Sequence, residues 1–249
     1  HTLSLFLFLV GTMSLLSQEK EILLFPNGAP GENVKLKQVD DASGNKVAGC
    51  PVLRVGNVSE PTLTFYPAPV ENNSGVTIIV NPGGGYNILA YNLEGTEICK
   101  RFNSYGVNCV LVKYRVPRRE GLEKHEAPLQ DVQRAIAYTR SHAKEWNINS
   151  DKIGVLGFSA GAHLSALAST NYSSRTYPRI DSYDDVSLRP DFTVLVYPAY
   201  LSADNFKPAI RIEACRRVVV SLAALPWLVS RPQTRSSSMR NLHSRVLPE

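Results

Sequence analysis

The sequence predicts a single α/β domain built on a doubly wound, mainly parallel sheet, and three observations carry that prediction. First, short apolar runs rich in β-branched residues, such as Val76-Thr-Ile-Ile-Val80 and Val107-Asn-Cys-Val-Leu-Val112, read as strands buried on both faces. Second, stretches with helical spacing alternate with these runs, as expected of a parallel sheet covered on both sides. Third, two of the runs end directly in glycine-bearing turns, Pro82-Gly-Gly-Gly-Tyr86 and Gly157-Phe-Ser-Ala-Gly161. A length of 249 residues with 43% hydrophobic composition suits one domain with an ample core.

Taken in order, residues 2–18 hold an apolar run of about 14 residues followed by polar Gln18-Glu-Lys20, the pattern of a signal-peptide core and short for a membrane span. The run has no Met and no basic flank before it, so the expected start lies upstream of His1. Export to the periplasm or the medium is therefore expected, without stable membrane insertion after processing. Phe25-Pro-Asn-Gly-Ala-Pro-Gly31 is a turn segment, and Thr62-Leu-Thr-Phe-Tyr66 alternates like a half-buried strand. Asn72-Asn-Ser-Gly75 is a turn before the strand ending at Val80. Leu93 to Tyr105 places Ile98, Phe102 and Tyr105 at helical intervals, and Gly106 ends it. Ala127 to Trp146 is a long helical stretch with Val132, Ile136 and Ala143 on one face. Lys152-Ile-Gly-Val-Leu-Gly157 is a strand, Ala160 to Ser169 a helix of small residues, and Phe192-Thr-Val-Leu-Val-Tyr197 a further strand.

Charge excludes a nucleic-acid partner. The net charge of +5 resides in residues 211–249, which hold seven Arg and two Glu, whereas residues 1–210 hold twenty groups of each sign. No basic stripe crosses the folded part. The four cysteines, Cys50, Cys99, Cys109 and Cys215, form no metal-ligand pattern, and Cys99 and Cys109 read as core packing. An exported chain could join a pair, but spacing does not say which. Asn57, Asn72 and Asn171 head Asn-x-Ser triplets, which matter in a host that glycosylates.

Gly157-Phe-Ser-Ala-Gly161 matches G-x-S-x-G and stands between a strand and a helix. A nucleophile on so sharp a turn needs small neighbours, so that strand and helix can pass closely. Ser159 is then the candidate nucleophile, and the N–H of Ala160 points into the same space as an oxyanion donor. The loop Pro82-Gly-Gly-Gly-Tyr86 stands where a lipase-like HGGG loop would, with Pro82 in place of His. By that analogy the N–H groups of Gly84 and Gly85 complete the oxyanion hole. No Gly-Lys-Ser/Thr follows, and G-x-G-x-x-G is absent there, so neither a phosphate loop nor a dinucleotide fingerprint fits.

Together with Lys113-Tyr-Arg-Val-Pro117, Ala127-Pro-Leu-Gln-Asp131, Arg134-Ala135 and Gly154-Val-Leu-Gly-Phe-Ser-Ala-Gly161 with His163-Leu164, these motifs resemble the exported esterase/lipase branch of the α/β-hydrolases. Within it they look most like bacterial acetylxylan-esterase-type enzymes, over about residues 55–205. Ala162 departs from the pattern, since that group usually has a second Gly there. The resemblance implies an α/β-hydrolase domain over residues 19–210 and cleavage of a short acyl ester, such as acetyl groups on plant polysaccharide. The partner is then a small ester or acylated carbohydrate, and no cofactor or metal is expected.

Asp131 and Arg134, three apart on a helix, read as a surface ion pair. Arg118-Arg-Glu-Gly121 reads as a solvated charge run near the catalytic end of the sheet. His163, four residues after Ser159, reads as a packing or structural hydrogen-bonding residue. The acid and base of a triad are not evident. This fold orders them after the serine as Asp or Glu, then His. Asp191 precedes a strand, at the wrong end; Asp204 follows one, but one strand early. His243 sits in Arg240-Asn-Leu-His-Ser-Arg245 with neither a glycine nor a strand before it. Asp204 and His243 are the candidates that chain order leaves, and the chain without a working pair is expected to have little or no esterase activity.

Residues 211–249 contain no Gly, Asp, Lys, Phe or Tyr and are set apart from the domain. A reading-frame slip after about residue 205 would explain them. Read from the third base of each codon, Leu225 to Gln233 can yield an apolar run, and Gln233-Thr234 spelled CAG-ACN gives Asp. The gene sequence tests this: without Asp after an apolar run and a later His beside Gly in the shifted frame, the slip is excluded. Such a tail is expected to leave the sheet edge uncovered. Two other function classes are consistent with the motifs. A hydrolase-shaped binding protein would hold xylo-oligosaccharide without turnover, and a serine peptidase would cleave peptides.

Overall fold

The computed structural model describes residues 21–33, 35–201 and 218–221. Its strands are β1 (Glu21–Leu23), β2 (Val39–Asp41), β3 (Arg54–Gly56), β4 (Thr62–Tyr66), β5 (Thr77–Asn81), β6 (Ile88–Ala90), β7 (Asn108–Lys113), β8 (Ile153–Phe158), β9 (Thr193–Val196) and β10 (Val218–Ser221). Its α-helices are α1 (Glu97–Asn103), α2 (Glu126–Ser141) and α3 (Ala160–Thr170). The main sheet runs β1-β4-β7-β5-β8-β9-β10, and β2, β3 and β6 form a small antiparallel sheet. From β7 through β10 all neighbours are parallel, while β1, β4 and β7 pair antiparallel. This is the α/β-hydrolase arrangement, with its strand order and antiparallel edge.

The alternation of side chains along the strands explains the two layers of helices. In β5, Ile78 and Val80 join a core with Ile98 and Cys99 of α1, whereas Ile79 joins the core that holds Val132 and Ile136 of α2 and Leu164 of α3. Burying both faces requires nearly unbroken apolar strands, and β5, β7 and β8 are buried at every position. Each expected strand and helix is present, with boundaries shifted by a few residues. The stretch expected to be helical from Leu93 begins as a π-helical turn, Asn92–Thr96, before α1. The helix expected to reach Trp146 ends at Ser141.

Two sequence expectations are corrected. Cys99 and Cys109 are core residues, as their apolar neighbours suggested, but they are also joined as a disulfide between α1 and β7. Asp131 and Arg134 do not form a surface pair. Asp131 is fully buried against Arg115, and Arg134, also buried, binds Asp181 and Asp184. Helical spacing brought the two residues onto one side, but stronger partners lie 16 to 50 residues away.

The segment beyond residue 210 does contribute to the sheet. Val218–Ser221 pairs in parallel register with Thr193–Val196, so β9 is not the edge. The β-branched run Val218-Val-Val220 has the strand propensity for this, which the composition of the whole segment obscured. The apolar run of residues 2–18, Asp204, Cys215 and His243 lie outside the described residues. Among the described residues, no helix is long and apolar enough to cross a membrane.

Candidate active site

Ser159 stands between the last residue of β8 and the first of α3, with φ 50° and ψ −115°. A non-glycine residue at positive φ is strained, and the surrounding contacts must hold it there. The glycines of the motif make the turn possible. A Cβ on Gly157 would lie 2.0 Å from the carbonyl oxygen of Gly161, and one on Gly161 would lie 2.0 Å from that of Asn81. Strand, helix start and the end of β5 therefore meet at backbone distance. The Ser159 N–H donates to the Val196 carbonyl at 3.1 Å, and its own carbonyl accepts from Ala162, His163 and Ala199. Its hydroxyl is half-buried and has no hydrogen-bond partner among the described residues.

The glycine loop lies against this turn. A Cβ on Gly83 would be 3.1 Å from the Ser159 Cβ and 2.7 Å from the Phe158 carbonyl oxygen. Gly84, Gly85 and Tyr86 follow one another at positive φ, and a Cβ on Gly84 would be 2.0 Å from the Ile88 carbonyl oxygen. The loop is tied to β6 by Ala90 N–H to the Gly83 carbonyl and by Asn87 and Ile88 N–H to that of Gly84. Tyr114 donates its hydroxyl to the Pro82 carbonyl at 2.5 Å. Among the described residues, the N–H groups of Gly84, Gly85 and Ala160 have no acceptor. Open backbone donors in a loop that packs on the serine turn through Gly83 are what stabilisation of a developing oxyanion requires.

His163 is bonded to the end of the glycine loop. Its Nδ1 is 2.9 Å from the buried Tyr86 hydroxyl, and burial, with His125 and Lys124 nearby, lowers its pKa to about 4. It is neutral near pH 7 and locks the end of the glycine loop to α3. Arg119 is paired with Glu32 and largely buried, whereas Arg118 donates to the Leu122 carbonyl at the surface. The charge run is thus half structural and does not touch Ser159. Asp191 accepts from the Ile153 N–H at the start of β8, at the opposite end of the sheet from Ser159.

Sequence reasoning missed Glu94, in the π-helical turn. One carboxylate oxygen accepts from the Gly83 N–H at 2.7 Å, the other from the Tyr197 hydroxyl at 2.5 Å. Its burial raises the carboxyl pKa above the usual range, against the pull of those two donors. In the sequence it is one acidic residue in a helical stretch, and no motif marks it. A π-helical turn beside the glycine loop is the structural signal.

The BD-FAE family model matches residues 63–197. The chain is 37% identical over 128 residues to an acetylxylan esterase of Xylanibacter ruminicola, a match covering 51% of this chain and 23% of that protein. It is 30% identical over 135 residues to endo-1,4-beta-xylanase B of Butyrivibrio fibrisolvens, covering 52% and 21% respectively. It thus spans less than a quarter of the length of either relative. Among solved structures, an acetyl ester-xyloside bifunctional hydrolase from Caldicellulosiruptor lactoaceticus superposes with a TM-score of 0.56 and 32% identity. That match covers 77% of this chain and 61% of that one.

Proposed function

The chain belongs to the BD-FAE family, and from that premise we propose that it is a carboxylic-ester hydrolase working through an acyl-serine intermediate on Ser159. The observation that carries the reading is Ser159 set in a strained turn against the glycine loop, with its hydroxyl and the N–H groups of Gly84, Gly85 and Ala160 unpaired among the described residues. The serine oxygen attacks the ester carbonyl carbon as its proton passes to a base. The carbonyl oxygen becomes an oxyanion held by Gly84, Gly85 and Ala160 N–H, and its collapse expels the alcohol with a proton returned from that base. Water then attacks the acyl-serine in the same way and releases the acid. Chain order assigns the acid and base to residues after β9, with Asp204 and His243 the candidates.

The substrate class we propose is a short acyl ester, above all acetyl groups on plant polysaccharide. Support comes from the relative named as an acetylxylan esterase and the structural neighbour named as an acetyl ester-xyloside hydrolase. We also propose that the protein is exported. The Cys99–Cys109 disulfide agrees with an oxidising compartment.

Release of acetate from p-nitrophenyl acetate and from acetylated xylo-oligosaccharide, measured for the wild type, Ser159→Ala and His243→Ala, tests the proposal. The expected result is release that depends on Ser159, with no cleavage of peptide substrates. Release that persists in Ser159→Ala overturns the serine mechanism, and loss in His243→Ala identifies the base. Binding of the oligosaccharide with no release at all would favour the binding-protein reading.

A further inference from the structure

Three elements around the serine turn share one half-buried carboxylate. Glu94 reaches from the π-helical turn Asn92–Thr96 to the Gly83 N–H in the glycine loop and to the hydroxyl of Tyr197, the residue after β9. Gly83 itself packs against Phe158 and Ser159, and Val196, beside Tyr197, accepts from the Ser159 N–H. Gly95 fixes the turn that carries the carboxylate, because a Cβ there would be 2.9 Å from the Leu111 side chain of β7.

We infer that Glu94 is a positioning residue for the oxyanion hole: it engages the Gly83 N–H and anchors the loop so that the next two N–H groups, those of Gly84 and Gly85, remain directed at the reacting oxygen. The inference rests on the esterase reading above. Its physical basis is the cost of an orphaned backbone donor. Without an acceptor the buried Gly83 N–H would be left unsatisfied, and the loop would turn to bond it elsewhere. The loop is poised to do so, since Gly84 at φ 137° and Tyr86 at φ 64° lie outside the comfortable regions for most residues. Tyr197, by binding the second oxygen, fixes the direction of the first. Oxyanion donors must be held to a fraction of an ångström before the reaction begins, so a loosened loop lowers the rate more than it weakens binding.

The test uses the full chain with Glu94→Ala, Glu94→Gln and Tyr197→Phe. The deciding measurement is amide hydrogen exchange of the peptide spanning residues 82–90, alongside kcat and KM for p-nitrophenyl acetate. Glu94→Ala is expected to speed exchange in this peptide about fivefold or more, leaving peptides of β5 and α2 unchanged. It is expected to lower kcat about 10- to 100-fold with little change in KM. Glu94→Gln keeps an oxygen for Gly83 and a polar group facing Tyr197, so it is expected to restore most of both. Tyr197→Phe should show the same changes at smaller amplitude, and it carries the test if Glu94→Ala does not fold. Unchanged exchange over residues 82–90, or a kcat effect that Glu94→Gln does not relieve, overturns the inference. Exchange is read whether or not ester is turned over. A loosened loop in a chain without turnover therefore sinks the esterase reading and leaves the anchoring role intact.

Discussion

The chain after β7 and the chain after β8 handle polar groups on opposite terms. After β7, Arg115 is engaged on every nitrogen: it donates to both oxygens of Asp131, to the carbonyls of Pro30 and Ala127, and to Gln130. On α2, Arg134 is likewise engaged by Asp181, Asp184 and the Leu24 carbonyl. After β8, Ser159 is held at positive φ with its hydroxyl unpaired, and the N–H groups of Ala160 and, from the facing loop after β5, of Gly84 and Gly85 have no acceptor among the described residues. A buried charge is tolerable only when every bonding direction is met. Open donors are tolerable only where solvent or a reacting group can reach them. The difference separates scaffold from site using contacts alone.

The largest expected effect is on the scaffold side. Asp131→Asn removes the charge that the buried Arg115 requires and should cost about 3–5 kcal/mol in urea unfolding. A near-neutral result would show that the saturated network is dispensable. Gly161→Ala strikes the serine turn itself by forcing a Cβ toward the Asn81 carbonyl at the end of β5. It should cost about 1–3 kcal/mol and also abolish ester hydrolysis, because the serine turn must open; full activity would show that the close packing is not needed.

His163 supplies a smaller effect, with a sign fixed by its pKa. Folding lowers that pKa from 6.5 to about 4, so between those values the unfolded chain holds more protons. The stability from neutral His163 is fully present above pH 6.5 and is lost as pH falls toward 4. The melting temperature of the wild type should drop over that window more steeply than that of His163→Gln. Parallel curves would mean that His163 is not buried neutral against Tyr86. The smallest effect is expected at the exposed Lys35–Glu60 pair, where Lys35→Ala should move the melting temperature by less than about 2 °C. A larger shift would blur the line between saturated buried charges and surface ones.

The parts of the fold governed by local pattern were legible in the sequence. β5, β7 and β8 announce themselves as apolar β-branched runs, and the glycines around Ser159 mark its turn, because both signals depend on residues within a few positions. His163 could be read as structural because its offset from Ser159 places it along the helix. What failed depends on distant partners. Asp131 and Arg134 looked like each other's partners because Arg115, Asp181 and Asp184 come from other elements. The Cys99–Cys109 bond needs the packing of α1 on β7, and Glu94 gains its place only when the π-helical turn folds under the glycine loop. β10 was hidden because four residues of strand pattern are a weak signal within a segment of unusual composition.

Covalent trapping of Ser159 is the decisive measurement. The folded chain is treated with a fluorophosphonate, digested and mapped by mass spectrometry. One phosphonyl adduct is expected, on the peptide that carries Ser159, and none in a folded Ser159→Ala variant. An adduct of equal yield in that variant, or one carried by another residue, would contradict Ser159 as the nucleophile.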